Sequence, residues 1–241
     1  MHRGFADGHS LTPPGTKSQS GQRAWVFRVI IQMPILLLIL AFSVIQGHVL
    51  GEHPRIVCEQ KYFSLADFGT AQTKSPAGTA IIFLQKDGSL RVERHGKTIG
   101  IIPLPDVAAD IKIAWAPDSQ KLAVTYSDGG AEGLFHAHVY KLDETHVTEL
   151  SKPIEVAFAD FKAQYYCERR GNNIYVEGWS TDSNALLVIT GVYPTSDCGK
   201  NFGRLGAYFI DLQGNIIRRY SDAEAEALQS SCEKVGGLRL P

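Results

Sequence analysis

Alternation of apolar and polar residues predicts short β-strands along most of the chain. Three such runs, at 79–85, 89–95 and 98–104, are separated by glycine-containing turns at 86–88 and 95–97. Strand, tight turn and strand in succession are typical of an antiparallel meander. The pattern therefore predicts a first sheet built from consecutive hairpins.

A longer unit with four predicted strands occurs twice. Trp115 of the first copy corresponds to Trp179 of the second, and the match continues to Asp128 and Asp197 after a short insertion at 191–195. A repeat of four strands indicates sheets that stack, because one sheet cannot bury both its faces alone. The predicted strands are 111–115, 122–126, 135–142 and 146–150 in the first copy, and 174–179, 185–193, 205–212 and 215–220 in the second.

Two segments have helical periodicity instead. Aromatic residues between 154 and 169 recur at helical spacing on one face. Ser221 and Glu224 have the spacing of a capping box, which predicts a helix from there to about Cys232. We expect both helices to cover faces or edges of the sheets.

The turn after each tryptophan carries a family resemblance. Trp115-Ala116-Pro117-Asp118-Ser119 and Trp179-Ser180-Thr181-Asp182-Ser183 resemble the Trp-Ser-Pro-Asp-Gly turn of TolB-like and WD40-like β-propeller blades. In such a turn the Trp packs between neighbouring sheets, and the Pro-Asp pair favours a type I turn. The resemblance covers 111–220 closely and 79–104 loosely. Serine replaces the turn glycine in both copies, and the second copy lacks the proline.

The resemblance implies an all-β fold, a propeller-like stack of four-stranded antiparallel meanders. Residue patterns add the two short helices and one N-terminal hydrophobic helix that precedes the stack. Closed propellers have at least four blades, and this chain has two clear copies and a partial one. A stack that stays open and a ring completed by self-association are therefore the two alternatives.

The first fifty residues differ from the rest. Residues 1–24 are rich in Gly, Ser, Thr, Pro and His, which predicts a disordered tail. Within 25–50, the stretch 29–48 has no charged residue and is long enough to cross a bilayer as one helix. Because Arg23 and Arg28 precede it, the positive-inside tendency predicts a cytoplasmic N-terminus and an exported body.

Two interpretations of this hydrophobic segment stay open. As a signal anchor, it predicts a single-pass inner-membrane protein with a linker at 51–57 and a folded domain at 58–241 in the periplasm or outside the cell. As a signal peptide cleaved after Gly47 or Gly51, it predicts a secreted protein. Both interpretations place the folded domain outside the cytoplasm.

All four cysteines follow the hydrophobic segment. Their spacing does not fit a zinc site, whereas an even number in an exported domain indicates disulfides. Three pairings are formally open. We favour Cys167 with Cys198, and Cys58 with Cys232, because the second bond would join the two ends of the folded region.

Charge and motifs narrow the function classes. The chain has 24 Lys and Arg against 25 Asp and Glu, so no overall charge favours nucleic acid as a partner. It contains no Walker loop, no Gly-x-Gly-x-x-Gly and no His-Glu-x-x-His, and no serine in a Gly-x-Ser-x-Gly turn. The sequence therefore predicts no cofactor, and a non-catalytic domain more than an enzyme.

One candidate site lies on the repeat rim. Asp128 and Asp197 occupy the same turn in the two copies, where carboxylates are also common for reasons of turn geometry alone. His136 and His138 alternate on a predicted strand, so their imidazoles share one face. Two histidines without an evident third ligand do not predict a metal site.

The other candidate site surrounds the favoured Cys167–Cys198 bond and comprises Tyr165, Tyr166, Arg169 and Arg170. Aromatic and arginine side chains on a rigid loop are typical of interaction surfaces. We therefore expect a binding or scaffolding domain of the cell envelope that recognises a protein or a glycan. The alternative is an extracytoplasmic hydrolase with a site on the repeat rim.

Overall fold

The computed structural model describes residues 55–106, 108–129, 133–165, 167, 171–193 and 196–236. The predicted tail and the hydrophobic segment, residues 1–50, lie outside this part of the chain. Within it, neither α-helix combines the length and the apolar composition needed to span a membrane.

The described residues form three antiparallel sheets and two α-helices, as the all-β prediction requires. In chain order, the strands are β1 (Ile56–Val57), β2 (Lys61–Phe63), β3 (Gln72–Lys74), β4 (Ala80–Leu84), β5 (Leu90–Arg94), β6 (Lys97–Ile102), β7 (Ala109–Trp115), β8 (Lys121–Ser127), β9 (Phe135–Leu142), β10 (Val147–Glu149), β11 (Asn172–Ser180), β12 (Ala185–Val192), β13 (Leu205–Asp211) and β14 (Ile216–Tyr220). The helices are α1 (Lys152–Gln164) and α2 (Asp222–Gly236).

Each sheet contains one meander. The first sheet has the order β3-β4-β5-β6, the second β10-β9-β8-β7-β2 and the third β1-β11-β12-β13-β14. The predicted hairpins are present, and two short N-terminal strands extend the second and third sheets. Tyr62 of β2 pairs with Lys112, and Val57 of β1 pairs with Trp179. β1 takes in the last two residues of the segment predicted as a linker, and a strand of two residues has no detectable period.

The sheets pack on one another through separate apolar clusters. Ile82 and Val92 of the first sheet pack with Ile111 and Val124 of the second. A second cluster joins the second and third sheets and includes Trp179, whose indole N–H donates to the Ala114 carbonyl at 3.0 Å. This contact explains the Trp near the end of β11, because the indole is fully buried and still has a hydrogen-bond acceptor.

The two helices cover the third sheet, as expected from their periodicity. Phe161 of α1 is fully buried in the cluster between the second and third sheets. Ala225 of α2 packs on Leu187 and Ile189, on the other face of the third sheet. The predicted helix at 154–169 is too long: α1 ends at Gln164 because Tyr165 adopts an extended conformation.

The turn motif occurs three times in the described residues, whereas the internal repeat in the sequence predicted two copies. Gly78, Ser119 and Ser183 have φ angles of 70°, 61° and 62°, and the N–H of each closes a tight turn of four residues. The additional copy is Ser75-Pro76-Ala77-Gly78, between β3 and β4. It lacks the tryptophan, so it carries little of the pattern used to recognise the other two.

Two disulfides connect elements far apart in sequence, in the pairing that we favoured from the sequence. Cys58 is bonded to Cys232 of α2, and Cys167 to Cys198. The first bond therefore joins the N-terminal strands to the C-terminal helix.

A buried ion pair lies between the second and third sheets. Lys112 Nζ is 3.7 Å from Glu177 Oε1, and both side chains are almost completely buried. The ammonium group also lies 5.2 Å from the Tyr62 ring centroid and 5.6 Å from that of Tyr175. Gln60 donates to the other Glu177 oxygen at 3.1 Å. The two rings and the amide thus compensate part of the desolvation of the pair.

Candidate functional site

The end of α1, the hairpin β13–β14 and the start of α2 enclose an open groove of about 370 Å³. Three tyrosines, two arginines and an aspartate line it: Tyr165, Tyr208, Tyr220, Arg204, Arg219 and Asp222. We call this the tyrosine groove. It contains Tyr165, one of the residues predicted to bind, and lies beside the third sheet.

Packing of α1 on β13 places Tyr165 at the groove. The Phe161 ring is fully buried, and its centroid is 5.3 Å from that of Tyr165. A Cβ atom on Gly206 would come within 2.9 Å of the Phe161 ring, so glycine at this position permits the close approach of helix and strand. The extended conformation of Tyr165 then turns the chain away from the helix axis at the groove's edge.

Arg219 lines the groove and is paired with Asp160 of α1, which lies behind the lining residues. Arg219 donates from Nε and Nη2 to the two carboxylate oxygens of Asp160, at 3.0 and 2.7 Å. These hydrogen bonds hold the pKa of Asp160 below its ordinary value. Burial, together with the charge of Asp160 and a hydrogen bond to it, raises the pKa of Tyr208, which forms the floor.

A second arginine–aspartate pair lines the groove. Arg204 donates to Asp222 Oδ2 at 2.8 Å, and its guanidinium lies 5.9 Å from the Tyr165 ring centroid. Each arginine in the groove is therefore matched by a carboxylate. As a result, the groove offers hydrogen-bond donors and acceptors without an excess of either charge.

The capping box predicted from the sequence fixes the start of α2. The Ser221 N–H donates to Glu224 Oε2 at 2.8 Å, and the Glu224 N–H donates back to Ser221 Oγ at 3.4 Å. This arrangement sets the position of Asp222 and leaves Ala223 exposed at the groove. Tyr220 precedes the cap, and burial raises its pKa.

The second candidate site is a row of stacked rings on one face of the second sheet. Tyr126 stacks on His136 and on His138, with centroids 5.4 and 5.8 Å apart, and His138 stacks on Tyr140 at 6.3 Å. The alternation of β9 places these imidazoles on one face, as predicted from their spacing. We call this the histidine row.

Each imidazole of the histidine row is hydrogen-bonded to one carboxylate. His136 Nε2 lies 2.8 Å from Asp128 Oδ2, and His138 Nδ1 lies 2.7 Å from Glu149 Oε1. Partial burial acts to raise the pKa of Asp128, but hydrogen bonds from His136 and the Leu134 N–H outweigh it and lower that pKa. No group of three or more potential metal ligands occurs among the residues that the structure covers.

A second open groove of about 380 Å³ separates the histidine row from β6. His138, Tyr140 and Glu149 line one side, and Ile99 and Ile101 of β6 line the other. Burial raises the pKa of Tyr140, and the charge of Glu149 acts in the same direction. The imidazole of His138, bound to Glu149, can orient a polar group here. This groove has fewer aromatic side chains than the tyrosine groove and no arginine.

The predicted site residues divide between these places. Asp128, His136 and His138 come together in the histidine row, while Tyr165 lies in the tyrosine groove. Tyr166, Arg169 and Arg170 lie outside the described residues, and so does the side chain of Asp197, whose backbone belongs to a 3₁₀ turn at Ser196–Asn201.

The sequence did not predict most residues of the tyrosine groove, namely Tyr208, Arg219, Tyr220 and Asp222. It also did not predict Asp160, which pairs with Arg219. A partial signal was available, because the Gln213-Gly214 turn sets a β13–β14 hairpin in which Tyr208 faces Arg219. The contribution of Asp160 had no such signal, since it comes from a helix in another part of the chain.

Comparison with known proteins adds no family to this picture: no protein-family model matches the chain, and no curated protein is significantly similar to it.

Proposed function

We propose that this chain is a non-catalytic binding domain of the cell envelope that recognises a protein or a glycan through the tyrosine groove. The observation that carries the proposal is the convergence of three tyrosines and two charge-matched arginines on one concave surface. Aromatic and arginine side chains contribute strongly to recognition, because they bring large contact areas and directed hydrogen bonds.

The proposed scaffold is a propeller-like stack of the TolB-like or WD40-like kind. Its support is the repetition of one turn in three meanders, each with a residue of positive φ at the same place. Self-association would supply the further blades if they complete a ring. Sedimentation or light scattering of the purified protein measures this directly.

The proposed location is outside the cytoplasm, with residues 29–48 either anchoring the chain in the inner membrane or removed as part of a signal peptide. Two disulfides favour an oxidising compartment. The near balance of acidic and basic residues supports no role with nucleic acid. Sequencing the N-terminus of the protein isolated from its cells distinguishes the anchored from the secreted form.

The hydrogen bond between Asp128 and His136 favours a second candidate function, an extracytoplasmic hydrolase at the histidine row. A carboxylate that orients an imidazole is the arrangement used by general bases. If this candidate is correct, His136→Gln abolishes turnover of a chromogenic ester, phosphate or glycoside substrate. The binding proposal instead requires that no activity of the purified protein depend on His136.

Site-specific photocrosslinking in the native cells tests the binding proposal. A photoreactive residue replaces Ala223, which is exposed at the groove, or Phe202, which is 54% exposed and does not line it. We expect an adduct from position 223 that is lost with Tyr165→Ala and absent from position 202. Identical adducts from both positions, or none from position 223, would contradict the proposal.

A further inference from the structure

The tyrosine groove has the size of a small-ligand site. Its volume of about 370 Å³ falls within the range of roughly 300–1,000 Å³ that is usual for such sites. A stable protein partner of standard size needs about 800 Å² on each side, generally with an apolar centre. A concave groove lined by ion-paired side chains accommodates a small polar ligand better than it accommodates the surface of a protein partner.

Three tyrosines line the groove, and a tyrosine side chain combines apolar ring faces with a hydroxyl group. Tyr208 is only 3% exposed and forms the floor, whereas Tyr165 and Tyr220 are both half-buried. Sugar rings have the complementary surface, with C–H groups on their faces and hydroxyls around their edges. A tyrosine ring can therefore cover a sugar face while polar groups at the rim bind the hydroxyls.

The rim groups suit hydroxyls because each can donate or accept beyond its present partner. Arg219 uses Nε and one terminal nitrogen for Asp160, which leaves further N–H donors on the guanidinium. The carboxylate of Asp222, which also lines the groove, retains lone pairs for O–H donors. Arg204 is half-exposed beside Asp222, so this second pair is also accessible to a ligand.

The charge balance argues against an acidic ligand. An anion would have to displace Asp160 from Arg219 or Asp222 from Arg204, or approach those carboxylates with like charge. A neutral polyol meets no such repulsion. Resting on the binding function proposed above, we infer that the tyrosine groove binds a neutral saccharide segment of a cell-envelope glycan.

Titration of the full-length protein in detergent with defined oligosaccharides tests this inference. The neutral probes are the tetramers of N-acetylglucosamine, cellotetraose and maltotetraose, and the acidic probe is a hyaluronan tetrasaccharide. Binding is followed by saturation-transfer NMR and calorimetry. We expect at least one neutral probe to bind more tightly than the acidic one, and Tyr165→Ala to weaken it about ten-fold or more.

Three further variants separate ligand contact from folding. Ala223→Trp fills the groove from an exposed helix position and should abolish binding with an unchanged melting temperature. Tyr165→Phe keeps the ring and should lose less than Tyr165→Ala. Phe202→Ala removes an exposed ring outside the groove and should bind as the wild type does.

The inference is overturned if no neutral probe binds at 10 mM (on the order of the weakest useful affinity), if the acidic probe binds best, or if Ala223→Trp binds normally. Photocrosslinking at position 223 then tests the proposed binding function separately. A Tyr165-dependent protein adduct without saccharide binding leaves the binding function standing with a different ligand. If neither saccharide binding nor a Tyr165-dependent adduct is observed, the saccharide inference and the proposed binding function are both wrong.

Discussion

The hydroxyl of Ser183 accepts a hydrogen bond from the backbone N–H of Asp118, at 2.9 Å. These residues lie in equivalent turns of the third and second sheets. The same contact joins Ser119 to the N–H of Ala77, in the second and first sheets, at 2.8 Å. Serine at the positive-φ position therefore does what glycine cannot, because its hydroxyl links each turn to the preceding one.

At Ser183 the hydroxyl should stabilise the fold through its hydrogen bond, while the side chain at positive φ should destabilise it. Ser183→Ala should destabilise the fold by about 1–2 kcal/mol, because it removes the hydrogen bond and keeps a side chain at positive φ. Ser183→Gly should lose less, since glycine relieves the backbone strain. Urea denaturation measures both. Gly78→Ala is the matched control, as it adds strain at the equivalent turn without removing a hydrogen bond; equal effects of the two Ser183 variants would contradict this explanation.

The buried pair of Lys112 and Glu177 predicts strong coupling. Lys112→Met should destabilise the protein by about 3–5 kcal/mol, because it leaves the Glu177 carboxylate buried without its cation. The double variant Lys112→Met, Glu177→Gln should be much less destabilised than the sum of the single variants. A double-mutant cycle from denaturation curves gives the coupling, and additive effects would show that the pair does not act as a unit.

Replacing the cysteines of each disulfide by serine should lower the stability of the protein by different amounts. Replacing Cys58 and Cys232 opens a loop of far greater sequence separation, 174 residues, than replacing Cys167 and Cys198, at 31. In the chain-entropy account a longer loop gives the larger effect, so we expect about 2–5 kcal/mol for each pair and the greater loss for Cys58 with Cys232. Thermal melting of both double variants measures this, and the reverse order would point to native-state contacts instead.

The Asp160–Arg219 pair predicts a pH dependence. Because the pKa of Asp160 is lowered in the fold, its stabilisation is present above the ordinary carboxyl pKa and is lost as pH falls through the folded value. Asp160→Asn should therefore melt a few degrees below the wild type at neutral pH, with the difference shrinking as pH falls below about 4 and disappearing below the folded pKa of Asp160.

A control for this experiment is Asp143→Asn, at an exposed carboxylate paired with Lys141 on the second sheet. Exposed pairs of this kind contribute little, so its melting temperature should follow the wild type across the same range. A difference at Asp160 that persists in acid would mean that the amide disturbs packing rather than charge.

Local patterns in the sequence determined the strands, turns and helices of this protein. Alternating and apolar runs between turns, together with the repeat, predicted three of the four strands in the first meander and all four in each of the other two. The Ser221–Glu224 spacing predicted the start of α2. These features depend on neighbours within a few residues, whose burial pattern the chain itself records. The positions of the four cysteines also indicated two disulfides, and the structure contains both in the favoured pairing.

Only the tertiary structure decided which distant segments meet. Pairing of β1 with β11, the contact of Asp160 with Arg219 and the burial of Lys112 beside Glu177 join residues far apart in the chain. Periodicity states which face of a strand is buried but not what covers it, because the covering element depends on the packing of whole sheets. The tyrosine groove therefore follows from how α1, the β13–β14 hairpin and α2 pack together.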